Sequence, residues 1–211
     1  FSVIVFGIRD MLEKRIAVLS LDEAMRIITQ ALSGLDYAHN VEIQNIKLKD
    51  GSICKGRGLV HRDIKPENLL IHRTENSFTI KIADFGLSKA YQLAGLYGNT
   101  QTGSVGGSLP FLSRQQLINY KYSKPEVDIW SIVAVFYFLL TGANPRSSEG
   151  GKNPFNAVLR NDPIPIRKRN SAIPKKMADI VDRALDDKSS LHYKRAIDLK
   201  RDLETAFWSC K

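Results

Sequence analysis

Between Val127 and Leu140 only Asp128 and Ser131 interrupt a run of apolar side chains. As a helix, this stretch is apolar nearly all the way round, and such a helix belongs at the centre of a fold with other elements packed about it. Its core, Trp130 to Leu140, has eleven residues, too few to cross a bilayer, which takes about 20. The tetrapeptide Ser123-Lys124-Pro125-Glu126 is expected to cap its start, because proline is tolerated in a helix's first turn, where its missing N–H is not needed. With 211 residues, the chain can bury about 70% of its extended surface around that helix without disulfide staples.

The remaining elements follow from local chemistry. Ser20-Leu21-Asp22-Glu23 forms a capping box, in which the Ser hydroxyl and the Glu carboxylate satisfy each other's free backbone N–H groups. It opens a helix to about His39, with Ala24, Ile27, Ile28, Ala31, Leu32 and Leu35 on one face. Pro174 begins a second helix to about Leu185, and Lys194 to Trp208 makes a last amphipathic one. Phe1 to Phe6, ending at Gly7, reads as a buried strand. Leu59-Val60, Leu69 to Ile71 and Phe78 to Ile82 are short strand-like runs. Asn40 to Gly58 is an inserted loop or short hairpin, and Tyr91 to Gly107, rich in Gly, Ser and Thr, is a long loop. The expected fold class is therefore mainly α with a few short β-strands, without internal repeats.

Charge and cysteine content narrow the setting. The 31 Lys and Arg against 22 Asp and Glu leave a formal net charge of +9, which permits acidic partners but says nothing about fold. Arg167-Lys168-Arg169, with Lys175 and Lys176, lacks interleaved aromatic residues for base stacking. It reads as a solvated connection, so no nucleic-acid partner is expected. The two cysteines, Cys54 and Cys210, exclude a disulfide-rich scaffold and a Cys-based zinc site, and a reducing, cytoplasmic location is expected. Phe1 to Gly7 has neither the basic flank nor the cleavage site of a signal peptide, and no membrane segment is expected. The first residue is not Met, a hint that the chain is a piece of something longer.

The chemistry concentrates in His61-Arg62-Asp63-Ile64-Lys65-Pro66-Glu67-Asn68, followed sixteen residues after Asn68 by Asp84-Phe85-Gly86. Two carboxylates, a cation and an amide thus sit on two loops flanking a short hairpin. Phosphoryl transfer needs that set: one carboxylate to orient a hydroxyl, an amide oxygen and a second carboxylate to hold Mg²⁺ on the phosphates, and a cation against the moving group. Either tripeptide alone means little, but their order, spacing and strand-loop context together carry weight. Through these motifs and the helices behind them, roughly Leu21 to Leu203, the sequence resembles the protein kinase family. It is similar to the Ser/Thr branch and, in style, to its bacterial members.

That resemblance implies a protein kinase-like C-terminal lobe and a set of roles. Asp63 stands at the position of the catalytic base and Lys65 at that of the phosphate-contacting cation, in the Ser/Thr form of the loop. Asn68 and Asp84 match the metal ligands, and with Glu67 and Leu70, the latter under adenine, they make up the cofactor-binding set for ATP and Mg²⁺. Arg62 matches a residue that pairs with a phosphate on the activation segment, for which Thr100, Thr102 and Ser104 are the available acceptors; a solvated loop that is never modified is the other reading. Ser108 stands where the family has a Thr that bonds the catalytic Asp and Lys. Asp128 matches a helix-start Asp that bonds the catalytic loop's backbone, against a plain helix-dipole role.

Two departures also follow from the resemblance. Gln115 replaces a Glu, and His192 falls where its Arg partner is expected, so a carboxylate–guanidinium pair is expected to have become an amide–imidazole hydrogen bond; two unrelated surface residues are the other reading. Changing both ends avoids an unpaired buried charge, which costs about 3–5 kcal/mol. The larger departure is an absence: nothing before Asp63 supplies the Gly-rich turn and strand Lys that cover the nucleotide. Residues 1–20 are accordingly expected to be a remnant of the last N-lobe strand, the hinge and the following segment, with residues 21–211 as the C-terminal lobe. The expected function is transfer of the ATP γ-phosphate to protein Ser or Thr hydroxyls, with a protein substrate and a missing N-terminal lobe or upstream domain as partners. A non-catalytic kinase-like scaffold module and, more remotely, a basic nucleic-acid-binding domain are the alternatives.

Overall fold

The computed structural model describes residues 4–13, 18–47, 50–73, 77–85, 108–147 and 154–211. Strand β1 (Ile4–Gly7) runs directly into helix α1 (Ile8–Glu13), and α2 (Leu21–Asn40) follows. Strands β2 (Glu42–Lys47), β3 (Ile53–Arg57), β4 (Leu69–Arg73) and β5 (Phe78–Ile82) come next. The C-terminal half holds α3 (Arg114–Ile118), α4 (Glu126–Thr141), α5 (Pro154–Arg160), α6 (Lys175–Leu185) and α7 (Ala196–Trp208). Expectations for Phe1 to Val3 and for Tyr91 to Gly107 lie outside the described residues.

Helix α4 is the centre of the molecule. From Val127 to Leu140 every residue is buried except Phe138, and Trp130, Phe136 and Tyr137 are at most 1% exposed. It packs against α2 on one side and α6 on another, while α2 also packs along α7. The apolar face of α2 supplies Ile28, Leu32 and Leu35, each at most 1% exposed, and each such burial contributes about 1.5–3 kcal/mol. The start of α2 is fixed by the capping box: Glu23 N donates to Ser20 Oγ at 3.2 Å, and Ser20 N donates to Glu23 Oε2 at 3.2 Å. Gly142, at φ 68°, ends α4 in the left-handed conformation that glycine adopts without steric penalty, its N–H bonded to Phe138 O.

Two local expectations are corrected. Ser123 does not cap α4; Pro125 precedes the first helical residue, and Ser123 Oγ turns back toward Asn119 O at 3.5 Å. The first turn instead carries Glu126 and Asp128, carboxylates that suit a helix N-terminus. Leu59-Val60 is not a strand. Leu59 N donates to Ala38 O at 2.8 Å and Gly58 N to Val41 O at 2.9 Å, so these amides close the inserted hairpin onto the end of α2 rather than joining a ladder. Gly58 is required there: its φ is 80°, and a Cβ would lie 2.6 Å from His39 O. The insertion itself is the antiparallel hairpin β2–β3, with a register shift between Ile43 and Ile46.

The sheet that matters for the site has the order β1-β4-β5, antiparallel throughout. Leu70 stands opposite Gly7 on one side and Lys81 on the other, and Leu69 pairs with Ile82. The residues just before β4 and just after β5, Asn68 and Ala83-Asp84, therefore emerge side by side.

Candidate active site

The loop from His61 to Asn68 is held from below by α4. Asp128, 1% exposed, accepts from His61 N and Arg62 N at 2.7 Å each, and its Oδ2 lies 2.9 Å from His39 Nε2. Three converging donors are what a buried carboxylate needs in order to stay in the interior. With its amide so fixed, Arg62 takes a φ of 67°, a left-handed turn that tight side-chain anchoring sustains at a non-glycine residue. Buried His61 ties this loop to the next one: Nε2 reaches Ala83 O at 2.6 Å, Nδ1 accepts from Asp63 N at 3.2 Å, and the ring meets Phe85 edge-on at 4.7 Å. Those contacts assign the ring proton to Nε2.

Above that support sit the charged groups. Asp63 Oδ2 lies 3.0 Å from Lys65 Nζ and 3.1 Å from Asn68 Nδ2, and Asn68 Nδ2 also donates to Asp63 O at 2.7 Å. Lys65 Nζ donates in turn to Ser108 Oγ at 2.9 Å, so Ser108 reaches Asp63 through the lysine. Ala83 N donates to Asn68 O at 2.9 Å, and Asp84 follows at φ 64°. Asp63, Lys65, Asn68 and Asp84 are thus drawn to one end of the β4–β5 hairpin. Asp63 and Lys65 keep 23% and 19% of their side chains exposed, enough to meet a reactant.

The donor chemistry suits a magnesium–nucleotide complex. The Asn68 side-chain nitrogen is committed to Asp63, so its side-chain oxygen is the atom that could ligate a metal, and the Asp84 carboxylate could supply a second. Magnesium prefers oxygen ligands and is commonly held by one or two carboxylates together with substrate phosphates. The set is adequate for that ion.

The other residues singled out by sequence fall around this centre. Glu67, in the turn Pro66–Asn68, accepts from Arg9 Nε of α1 at 2.8 Å. Leu70 lies half-buried on β4 beside Gly7. Arg62 sets its guanidinium 6.0 Å from the Tyr120 ring centre. Thr100, Thr102 and Ser104 lie outside the described residues. The expected bond between Gln115 and His192 is not made: Gln115 Nε2 donates to Ser189 O at 2.7 Å, while His192 is exposed and packs edge-on against Tyr193. The physical reason is that the buried charge in this region sits elsewhere, on Asp187 with Arg146 and Arg114, so no buried site is left for the imidazole to fill.

Sequence reasoning missed His39, Gln116, Arg146 and Asp187. Gln116, fully buried, caps onto Ser113 through its backbone and donates from Nε2 to Arg62 O. His39 had a signal, a histidine in the last turn of an amphipathic helix that ends near the motif; the other three had none, because their partners are remote in sequence.

The protein kinase domain family matches residues 6–195. Among curated proteins, a probable serine/threonine-protein kinase KIN1 homolog of Enterocytozoon bieneusi is 35% identical over 131 residues, 62% of this chain and 18% of that protein. The probable serine/threonine-protein kinase PknB of Lactococcus lactis is 30% identical over 193 residues, 90% of this chain and 27% of that protein. The chain spans well under a third of the length of these curated relatives. Among solved structures, the PknI kinase domain of Mycobacterium tuberculosis superposes with a TM-score of 0.61 at 18% identity, covering 97% of this chain and 64% of that one. At that identity the likeness concerns the fold.

Proposed function

This chain belongs to the protein kinase domain family, and on that premise we propose that it forms the large lobe of a Ser/Thr protein kinase that transfers the γ-phosphate of ATP to a protein hydroxyl. The observation that carries the proposal is the shared cluster at the hairpin end, in which Lys65 bridges Asp63 and Ser108 while Asn68 orients Asp63 from the other side. Asp63 is the base that orients the acceptor hydroxyl and takes up its proton. Lys65 lies against that carboxylate and where it offsets negative charge on the transferred group. Asn68 and Asp84 hold magnesium, which with ATP supplies an activated phosphoryl group. Glu67 and Leu70 border the nucleotide side. Arg62 takes a phosphate from the activation segment, where Thr100, Thr102 and Ser104 are the acceptors.

Free Cys54 and Cys210 fit a reducing, cytoplasmic setting. Among the described residues no helix is long and apolar enough to cross a membrane. A direct test offers the protein magnesium, labelled ATP and matched peptides that differ only in a central Ser, Thr or Tyr. Label on the Ser or Thr peptides is the expected result. Label confined to the Tyr peptide, or bound nucleotide without transfer to any of them, would overturn the assignment.

A further inference from the structure

A second set of buried charges lies outside the hairpin-end cluster. Arg146, whose side chain is 3% exposed, places its guanidinium 4.6 Å from the Trp130 ring centre, over the core helix. All three of its nitrogens are used. Nε donates to Asn161 O at 3.0 Å, Nη1 to Leu112 O at 3.0 Å, and Nη2 to the fully buried Asp187 carboxylate. Asp187 Oδ2 also accepts from Arg114 N at 2.6 Å. Arg114 completes the arrangement, with Nη1 at 3.4 Å from Asp187 Oδ1, Nε on Leu159 O at 2.9 Å and Nη2 on Asn161 O at 3.2 Å.

Burying a charge pair is costly, and well-packed apolar residues often serve stability equally well. What apolar residues cannot do is fix carbonyl oxygens in space. Here the guanidinium forks do that for Leu112, Leu159 and Asn161, whose carbonyls point toward the pair rather than into any ladder. Leu112 and Arg114 belong to the segment 108–118, and that segment touches the catalytic loop at both ends. Ser108 takes the Lys65 ammonium at one end, and Gln116 holds Arg62 O at the other. Asp63 lies between Arg62 and Lys65.

We propose that Arg146 and Asp187 are positioning residues for the acceptor side of the site, pinning segment 108–118 so that it meets the catalytic loop on both sides of Asp63. The clamp is geometric and stands on its own; its kinetic consequence rests on the phosphotransfer reading above. Amide hydrogen exchange and transfer kinetics are measured on the protein carrying this chain, as wild type, Arg146→Met, Arg146→Lys and Asp187→Asn. In Arg146→Met and Asp187→Asn, exchange over residues 108–118 is expected to quicken at least about tenfold while α2 stays near wild type. KM for the acceptor peptide is expected to rise about tenfold with KM for MgATP within about twofold.

Arg146→Lys keeps the charge but loses the planar fork, so it is expected to resemble Arg146→Met. Exchange in 108–118 that stays at the wild-type rate, or quickens equally in α2, would overturn the clamp. So would full recovery by lysine, since charge alone would then suffice. Should the wild type transfer no phosphate, the functional reading falls while the exchange pattern still decides the clamp.

Discussion

Asp63→Asn is expected to lower kcat for phosphotransfer by about 10²–10⁴-fold, the range that a positioned general base contributes, while the fold and nucleotide binding survive. The amide has the carboxylate's shape, so its remaining oxygen can still accept from Lys65 or Asn68, which now meet at Asp63 Oδ2. What it cannot do is take a proton from the acceptor hydroxyl or keep a full negative charge beside the lysine. Binding of MgATP, whose proposed metal ligands are Asn68 and Asp84, is expected to change by less than about threefold, because the proposal assigns Asp63 to the acceptor rather than the phosphates. Steady-state kinetics with a Ser or Thr peptide check this. A loss of less than about fivefold would remove Asp63 from the role of base.

Asp128→Ala is expected to destabilise the protein by about 3–5 kcal/mol, as for one partner removed from a buried charged network. In a chain of this size that lowers Tm by roughly 6–20 °C. Its carboxylate satisfies two backbone N–H groups of the catalytic loop and sits against the His39 ring; without it all three donors are stranded in the interior. The loop would also lose the anchor that holds Arg62 at positive φ, so activity should fall further than stability alone explains. Asp128→Asn is a sharp companion. Its Oδ1 can replace only one of two acceptor atoms, and the NH₂ must then face either the Arg62 N–H or both the His61 N–H and the His39 ring. Thermal unfolding of both variants checks the argument. A drop under about 2 °C for either would show that the loop is held by something else.

How far the sequence discloses this molecule depends on the range of the interaction involved. The capping box at Ser20 and Glu23, the buried stripe of α2 and the all-round apolarity of α4 are local patterns, and each element appears where its pattern lies. β5 likewise spans Phe78–Ile82 as read. The hairpin end was legible for the same reason: His61 to Asn68 is contiguous, and Asp84 is brought back by a turn short enough to infer.

Errors arise where the deciding partner is remote. Leu59-Val60 has strand composition, yet its amides are claimed by the end of α2. Ser123 has capping chemistry, but the turn ahead of Pro125 aims it at Asn119. Gln115 and His192 were paired by alignment with a family pattern, whereas the structure spends its buried charge on Asp187, Arg146 and Arg114. Arg114 opens α3 while Arg146 and Asp187 lie on two separate loops, and neither periodicity nor spacing links them.

The claim on which the account depends is that Asp63, Lys65, Asn68 and Asp84 form one site for a metal-bound triphosphate. Its most direct test is Tm with ATP in the presence and absence of magnesium, for wild type and Asp84→Asn. At about 100 times Kd the ligand stabilises by about 2.7 kcal/mol, which in a chain of this size raises Tm by roughly 5–10 °C. The account predicts that rise in the wild type only when magnesium is present, and its loss in Asp84→Asn. A rise that is indifferent to magnesium, or that persists in Asp84→Asn, would contradict it.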